Sequence, residues 1–440
     1  MKLRIDLEKE YGIVLEGGGA RGAYQIGVWK ALREAGVKIR GVAGTSVGAL
    51  NGALICMDDL ETAEKIWKNM TYSTVVQIDD SMIGKLKKFG VRSMKMTDAA
   101  AEFKRVVSDR GLDISPLKKL LEDTVDEERI RRSPRDFCAA SFSVTDRREE
   151  DFDVKSAPQG TMKDMLMASA YFPGFKQEKI GGKTYLDGGS VNNVPVDLLT
   201  DRGYKDLIVI RLYGIGVDRR IFMDIPKDVT IHEIAPKRNL GGILEFDSER
   251  TKKNMELGYF DGLRFLYGLC GRKYYLDMPY SEAYYFGRIM SELDMFKEWL
   301  RPYVKEEDFA KLNGYRVYTE KIFPFLAKKL RLRPEWDYRD LYGAVLEVFA
   351  KKMQLEAFRV YTPDEIVGKL QEILSGRPDY AADKRRYEEN AEIWRKTIKE
   401  ERSGANPWRL MPCISSSGSP WWSCPSFRFL TRRGTCSSFR

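Results

Sequence analysis

The side chain best placed to do chemistry is Ser46, set in Gly44-Thr45-Ser46-Val47-Gly48. A short apolar stretch precedes it (residues 39–43), and a helical stretch of small residues follows (Ala49, Gly52, Ala53). A strand-turn-helix of this kind lifts a serine hydroxyl clear of a sheet. It also sets that hydroxyl at a helix N-terminus, where developing negative charge is favoured. Taken alone, the five residues fit an ordinary turn with a serine cap just as well. The second feature is Gly17-Gly18-Gly19-Ala20-Arg21-Gly22. Its spacing matches a dinucleotide fingerprint. That fingerprint needs an acidic residue about 20 positions further on, and residues 38–46 hold none. The other use of such a loop is an oxyanion hole, because consecutive glycine N–H groups can point at one oxygen unobstructed. Arg21 adds a cation beside it. The third feature is Asp187-Gly188-Gly189, ahead of a polar Ser190-Val191-Asn192-Asn193 loop. By itself it reads as an Asx-turn.

Together the three make an acyl-transfer set that needs no histidine. An ordinary Asp, with a pKa of about 3.9, is a weak base toward a serine hydroxyl. A Ser46–Asp187 dyad therefore requires a direct hydrogen bond in a desolvated site that raises the carboxylate pKa. Composition points the same way. The 440 residues contain one histidine, His232. A multi-histidine metal site is excluded, and any Ser-His-Asp triad would depend on that residue. His232 lies in an alternating Thr230-Ile231-His232-Glu233-Ile234 run and reads as structural. Cys56, Cys138 and Cys270 have no C-x-x-C spacing and read as buried, reduced thiols of a cytoplasmic protein. The N-terminus has no apolar signal region, and no run of about 18 apolar residues exists to cross a membrane. No cofactor or metal is expected.

The elements that must position these residues alternate. Residues 11–15 form a strand, Tyr24 to Leu32 a helical stripe closed by Gly36, and residues 39–43 a second strand before Ser46. Residues 60–135 read as mainly helical, 136–144 as a buried strand and 161–170 as a helix. Leu207-Ile208-Val209-Ile210 is a strong buried strand, and 229–234 a further one. This is an α/β pattern with a mostly parallel sheet. Helical patterns dominate from about Leu244 to Arg402.

At this point the residues resemble the patatin-like phospholipases. The resemblance rests on Gly17 to Gly22, Gly44 to Gly48 and Asp187 to Gly189 in that order. Secondary marks agree: Asp113-Ile114-Ser115-Pro116-Leu117, Ala168-Ser169-Ala170-Tyr171-Phe172-Pro173-Gly174-Phe175 and Asn193-Val194-Pro195. It implies a three-layer α/β/α core over residues 8–240 and a lipid acyl hydrolase acting through a covalent acyl-enzyme. Carried over, Ser46 is the nucleophile and Asp187 the base. Gly18 and Gly19 supply oxyanion N–H groups, with Gly17 shaping the turn, and Arg21 helps hold an anionic group. One departure is Glu16, where many members carry Asp or a small residue. It precedes the functional loop, and no consequence for catalysis is expected from it.

Residues 241–402 read as a helical region packed on the core. Residues 403–440 switch composition: nine Ser, three Trp, three Cys, five Arg, no Lys and no acid. They read as outside the fold. Removing those five Arg from the 74 Lys+Arg leaves 69 − 65 = +4 for residues 1–402, against +9 for the whole chain. Nucleic acid is therefore not an expected partner; a lipid or acyl ester is. Basic runs such as Lys85 to Lys88 and Arg129 to Arg132 read as solvated helix faces. The alternative for them is transient contact with an anionic membrane surface, worth about 1 kcal/mol per basic residue. Two other functions remain open from the residues alone: a nucleotide-binding α/β protein using the Gly17 loop, and a catalytically silent lipid-binding protein. Oligomeric state is not legible in the sequence.

Overall fold

The computed structural model describes residues 1–77, 111–218, 225–293 and 318–375. Lys85 to Lys88 and the 403–440 tail lie outside them. The described chain falls into two compact units. One joins Met1–Met278 to Glu347–Ile366; the other takes in Pro279–Leu346 and the residues after Val367. Ser46, the Gly17–Gly22 loop, Asp187 and His232 all lie in the first.

A mixed sheet organises that unit. Strands β1 (Glu10–Leu15), β2 (Lys38–Thr45), β3 (Asp136–Ser143), β4 (Arg148–Glu149), β5 (Phe152–Asp153), β6 (Tyr185–Asp187), β7 (Asp206–Ile210) and β8 (Thr230–Ile234) belong to it, in the order β4-β3-β2-β1-β7-β8. Pairings among β3, β2, β1, β7 and β8 are parallel, while β4, β5 and β6 run antiparallel to β3. The sheet is thus mostly parallel, as the alternating pattern predicts. The principal helices are α1 (Ala23–Glu34), α2 (Val47–Cys56), α3 (Leu60–Lys68), α4 (Ser115–Thr124), α5 (Met162–Ser169) and α6 (Ser248–Tyr267).

Alternation along the central strands explains why both faces are covered. Successive side chains of a strand point to opposite faces. Ile13 and Leu15 enter a core cluster with Ala23, Ile26, Ala53 and Leu257, contributed by α1, α2 and α6. Val14 enters a second cluster with Val209, Val194 and Leu199 on the other face. Such doubly buried strands read as continuous apolar runs, which is how Ile13-Val14-Leu15 and Leu207 to Ile210 appear. The helix α6, assigned by its pattern to the C-terminal helical region, belongs to this first unit. It is tied to α1 by the Tyr24 hydroxyl donating to Asp261 at 2.9 Å, both groups buried.

His232 sits on β8 with its ring edge-on to Tyr11 and Phe265, at centroid distances of 6.1 and 5.7 Å. It packs and is not among the cleft residues. Cys56 and Cys138 are buried free thiols, and burial pushes the Cys138 thiol up to about 12. The basic run at Arg129 is a paired helix face: Arg129 meets Asp59, Arg131 meets Glu127 and Arg132 meets Glu128. Among the described residues no helix is long and apolar enough to cross a membrane, and no cluster of side chains could hold a metal ion.

Candidate active site

The β2–α2 junction is a sharp elbow. Ser46 has φ 56° and ψ −126°, a left-handed conformation that costs a non-glycine residue about 1–3 kcal/mol. The flanking glycines are obligatory. A Cβ on Gly44 would lie 2.4 Å from the Gly48 backbone, and one on Gly48 would lie 2.2 Å from the Leu15 carbonyl oxygen. The strain is held by neighbours. The Ser46 N–H donates to Ser169 Oγ at 3.0 Å, and the Ser169 hydroxyl donates to the Ala140 carbonyl at 2.6 Å. Ser169 is fully buried. Nothing in Ala168-Ser169-Ala170 announces this role; a lone serine in a small-residue run has no local signature.

Strand pairing brings Asp187 to the elbow. Thr45 is opposite Ala140 in the β2–β3 pair, and Ser141 is opposite Asp187 in the β3–β6 pair. The strand ends carrying Ser46 and Asp187 therefore meet across β3. The Asp187 carboxylate accepts from the Gly189 N–H at 2.7 Å. Burial pushes its pKa up to about 6, against the opposing effect of the Ser46 hydroxyl and the Gly189 N–H, which favour the ionised form. Desolvation is the largest effect, and no cation of the described residues opposes it.

The glycine loop closes the third side. The Gly17 N–H donates to the Asn193 carbonyl at 3.1 Å and the Ala20 N–H to the Ile243 carbonyl at 2.8 Å. The Gly18 and Gly19 N–H groups have no acceptor among the described residues. Gly19 takes φ 55°, and a Cβ there would lie 2.1 Å from the Ile243 carbonyl oxygen. Ser46, Asp187, Gly17, Gly18 and Gly19 all line one cleft.

Arg21 does not join them. Its guanidinium donates to the carbonyls of Gly241, at 2.8 Å, Leu212, at 3.2 Å, and Tyr213. It is not among the residues lining the cleft. These contacts describe a brace between the glycine loop and two later segments, because a guanidinium directed at three carbonyls is poorly placed to meet a substrate anion.

The rest of the cleft is mostly apolar. Val47, Leu50, Asn51 and Leu54 line it from α2, a stripe at helical spacing that begins beside Ser46. Leu117, Leu120, Leu121 and Thr124 of α4 line it as well, together with Phe172 and Phe175. This gives the secondary sequence marks their physical meaning. Asp113 accepts from the Ser115 N–H at 2.8 Å and so fixes the start of α4, while Asn193 pins the glycine loop.

Residues 13–200 match the family model of the patatin-like phospholipases. Residues 13–200 are therefore a patatin-like phospholipase domain within the chain. The neuropathy target esterase sws of Drosophila melanogaster is 30% identical over 208 residues, covering 45% of this chain and 12% of that protein. A patatin-like phospholipase domain-containing protein of Caenorhabditis elegans, ZK370.4, is 30% identical over 211 residues, covering 47% and 14%. The chain thus spans a small fraction of the length of these curated relatives. The crystal structure of VipD from Legionella pneumophila aligns at 13% identity and a TM-score of 0.35, covering 87% of each chain. The patatin-like match takes in the elbow, the glycine loop and Asp187, and stops before the Leu212 turn.

Proposed function

We propose that the chain is a serine lipid acyl hydrolase, of phospholipase A or esterase type, working through a Ser46–Asp187 dyad. The observation that carries this reading is the buried Asp187 carboxylate lining the same largely apolar cleft as Ser46, whose hydroxyl favours its ionised form. A carboxylate with a pKa near 6 is ionised at neutral pH yet basic enough to share a serine proton. Ser46 Oγ attacks the acyl carbonyl as Asp187 accepts its proton. The tetrahedral oxyanion is met by the Gly18 and Gly19 N–H groups, with Gly17 fixing the loop, and lies near the N-terminus of α2. Collapse releases the alcohol portion, which takes the proton from Asp187. Asp187 then deprotonates water, which attacks the acyl-enzyme, and Ser46 leaves with the proton. We assign Arg21 to bracing the loop and give it no part in holding an anion.

The test is labelling of the purified chain by a fluorophosphonate, with peptide mapping. The label is expected on Ser46. Its rate should rise as the pH passes up through about 6 and then level off, because only ionised Asp187 accepts the proton. A folded chain left unlabelled at Ser46 would favour a catalytically silent lipid-binding protein.

We also propose that the acyl chain lies along α2. The Asp126 N–H meets Met57 Sδ at 3.3 Å and Arg129 pairs with Asp59 at 3.0 Å. These ties bring the end of α4 to the end of α2, so Leu54, Leu121 and Val125 mark the far end of the cleft. Ser46 to Leu54 spans roughly 12 Å at ~1.5 Å per helical residue. An extended chain gains about 1.2 Å per bond, so the cleft matches an acyl group of about ten carbons. Leu54→Trp fills the far end. It is expected to lower the ratio of kcat/KM for a dodecanoyl over a butanoyl nitrophenyl ester about tenfold. An unchanged ratio would place the chain elsewhere.

A further inference from the structure

Glu16, set aside in the sequence as a departure without consequence, is the most heavily coordinated side chain of the site. It is 2% exposed. One carboxylate oxygen accepts from Arg211 Nε at 2.8 Å and from the N–H groups of Leu212 at 2.6 Å and Tyr213 at 3.0 Å. The other accepts from the Gly214 N–H at 3.1 Å and Asn193 Nδ2 at 3.3 Å. Three successive backbone N–H groups converging on one carboxylate form an anion nest, filled here from within the chain. Arg211 offsets the buried charge and also reaches Asp218 and Glu233.

Each of these partners bears on the glycine loop. Asn193 holds Gly17 from both sides, accepting from its N–H at 3.1 Å and donating to its carbonyl at 3.3 Å. The Leu212–Gly214 turn lies hard against the same loop. A Cβ on Gly214 would lie 1.9 Å from the Gly17 carbonyl oxygen, and one on Gly18 would lie 2.8 Å from Leu212 Cδ1. The direction of the Gly18 and Gly19 N–H groups thus depends on a turn whose own N–H groups are gathered by Glu16. Among the described residues Glu16 makes no hydrogen bond or ion pair with Ser46 or Asp187, and the Asp187 carboxylate accepts from the Gly189 N–H.

We propose that Glu16 is a positioning residue for acyl transfer, acting through the Gly17–Gly19 loop and not through the Ser46–Asp187 pair. The proposal rests on the acyl-hydrolase reading above. Length matters as well as charge. Aspartate would withdraw the carboxylate by about 1.5 Å, one C–C bond. Glutamine keeps the length but must present an NH2 to one of two sets of N–H donors.

The experiment compares the full chain with Glu16→Gln and Glu16→Asp on nitrophenyl butyrate, with active sites counted by fluorophosphonate titration. Glu16→Gln is expected to lower kcat per titrated site about tenfold or more, with KM changed less than about threefold, since an oxyanion-hole donor acts in the transition state. The acid limb of the pH profile should stay near that of the unaltered chain, because Asp187 keeps its surroundings. Glu16→Asp should fall between the two. Several results would overturn the proposal: unaltered kcat per titrated site, a loss seen only as fewer titratable sites, or a shifted acid limb. The first two leave Glu16 a stability residue at most, and the third makes it act on the base. An unaltered chain that neither labels at Ser46 nor turns over ester removes the acyl-hydrolase reading and this one with it. A normal unaltered chain with a normal Glu16→Gln variant removes this one alone.

Discussion

Ser46→Ala and Asp187→Asn are each expected to lower kcat for a short-chain ester by roughly 10⁴-fold or more, as loss of a nucleophile or its base does when the two act as a unit. Neither should unfold the protein. Ser46→Ala keeps the Cβ that the elbow already accommodates at φ 56°. For Asp187→Asn the pH dependence gives a sharper expectation. The folded-state pKa is raised from 3.8 to about 6, chiefly by burial. A group whose folded pKa is raised favours the native state when protonated. Its contribution is fully present below the unfolded value near 4 and is lost as pH rises through about 6. At pH 8 the unaltered chain bears the full penalty of a buried carboxylate, and asparagine, neutral throughout, does not. Relative to the unaltered chain, the midpoint of thermal unfolding for Asp187→Asn should therefore be more favourable at pH 8 than at pH 4. Undiminished turnover in purified Ser46→Ala would sink the mechanism. A pH-independent difference in the midpoints would sink the account of Asp187 burial.

Gly19→Ala is the second large effect. The added Cβ would sit 2.1 Å from the Ile243 carbonyl oxygen, on a backbone at φ 55°. The obstacle is a backbone atom that also accepts the Ala20 N–H at 2.8 Å, so it cannot swing aside as a side chain would. The loop must move, and the Gly18 and Gly19 N–H groups with it. Loss of one oxyanion donor typically costs about 10²–10³ in kcat, and a loss in that range is expected for nitrophenyl butyrate. The comparison is Gly36→Ala. Gly36 also has positive φ, 80°, but nothing lies within 4 Å of an added Cβ. It borders no part of the cleft, so its variant should keep its kcat. Equal activity in both variants would mean that the glycine loop is a packing turn only.

Some of this site was legible before any fold was known. The elbow was legible because a serine at positive φ between a strand and a helix demands glycine two residues to either side. The glycine loop was legible for the same kind of reason. The surroundings of Glu16 were not legible, because its five donors are drawn from Asn193 and from Arg211 to Gly214. None of these is a sequence neighbour of Glu16. The one available signal was an acidic residue directly after a wholly buried strand end, where a carboxylate needs partners. The surroundings of Arg21 were not legible either. Its charge suggested an anion, and its surroundings supplied carbonyls.

The sequence by itself determined the local devices: the strand-turn-helix alternation, the Ser46 elbow, the glycine loop and an aspartate in a glycine turn. Each is a demand on backbone conformation over a few residues, and only small residues meet it. The tertiary structure alone decided that Ser46 and Asp187 line one cleft, through the β2–β3–β6 pairings. It alone decided that burial raises Asp187 to about 6 and that Glu16 gathers the turn behind the loop. Those outcomes depend on desolvation and on distances between segments remote in the chain, and neither is encoded in the spacing of any one motif.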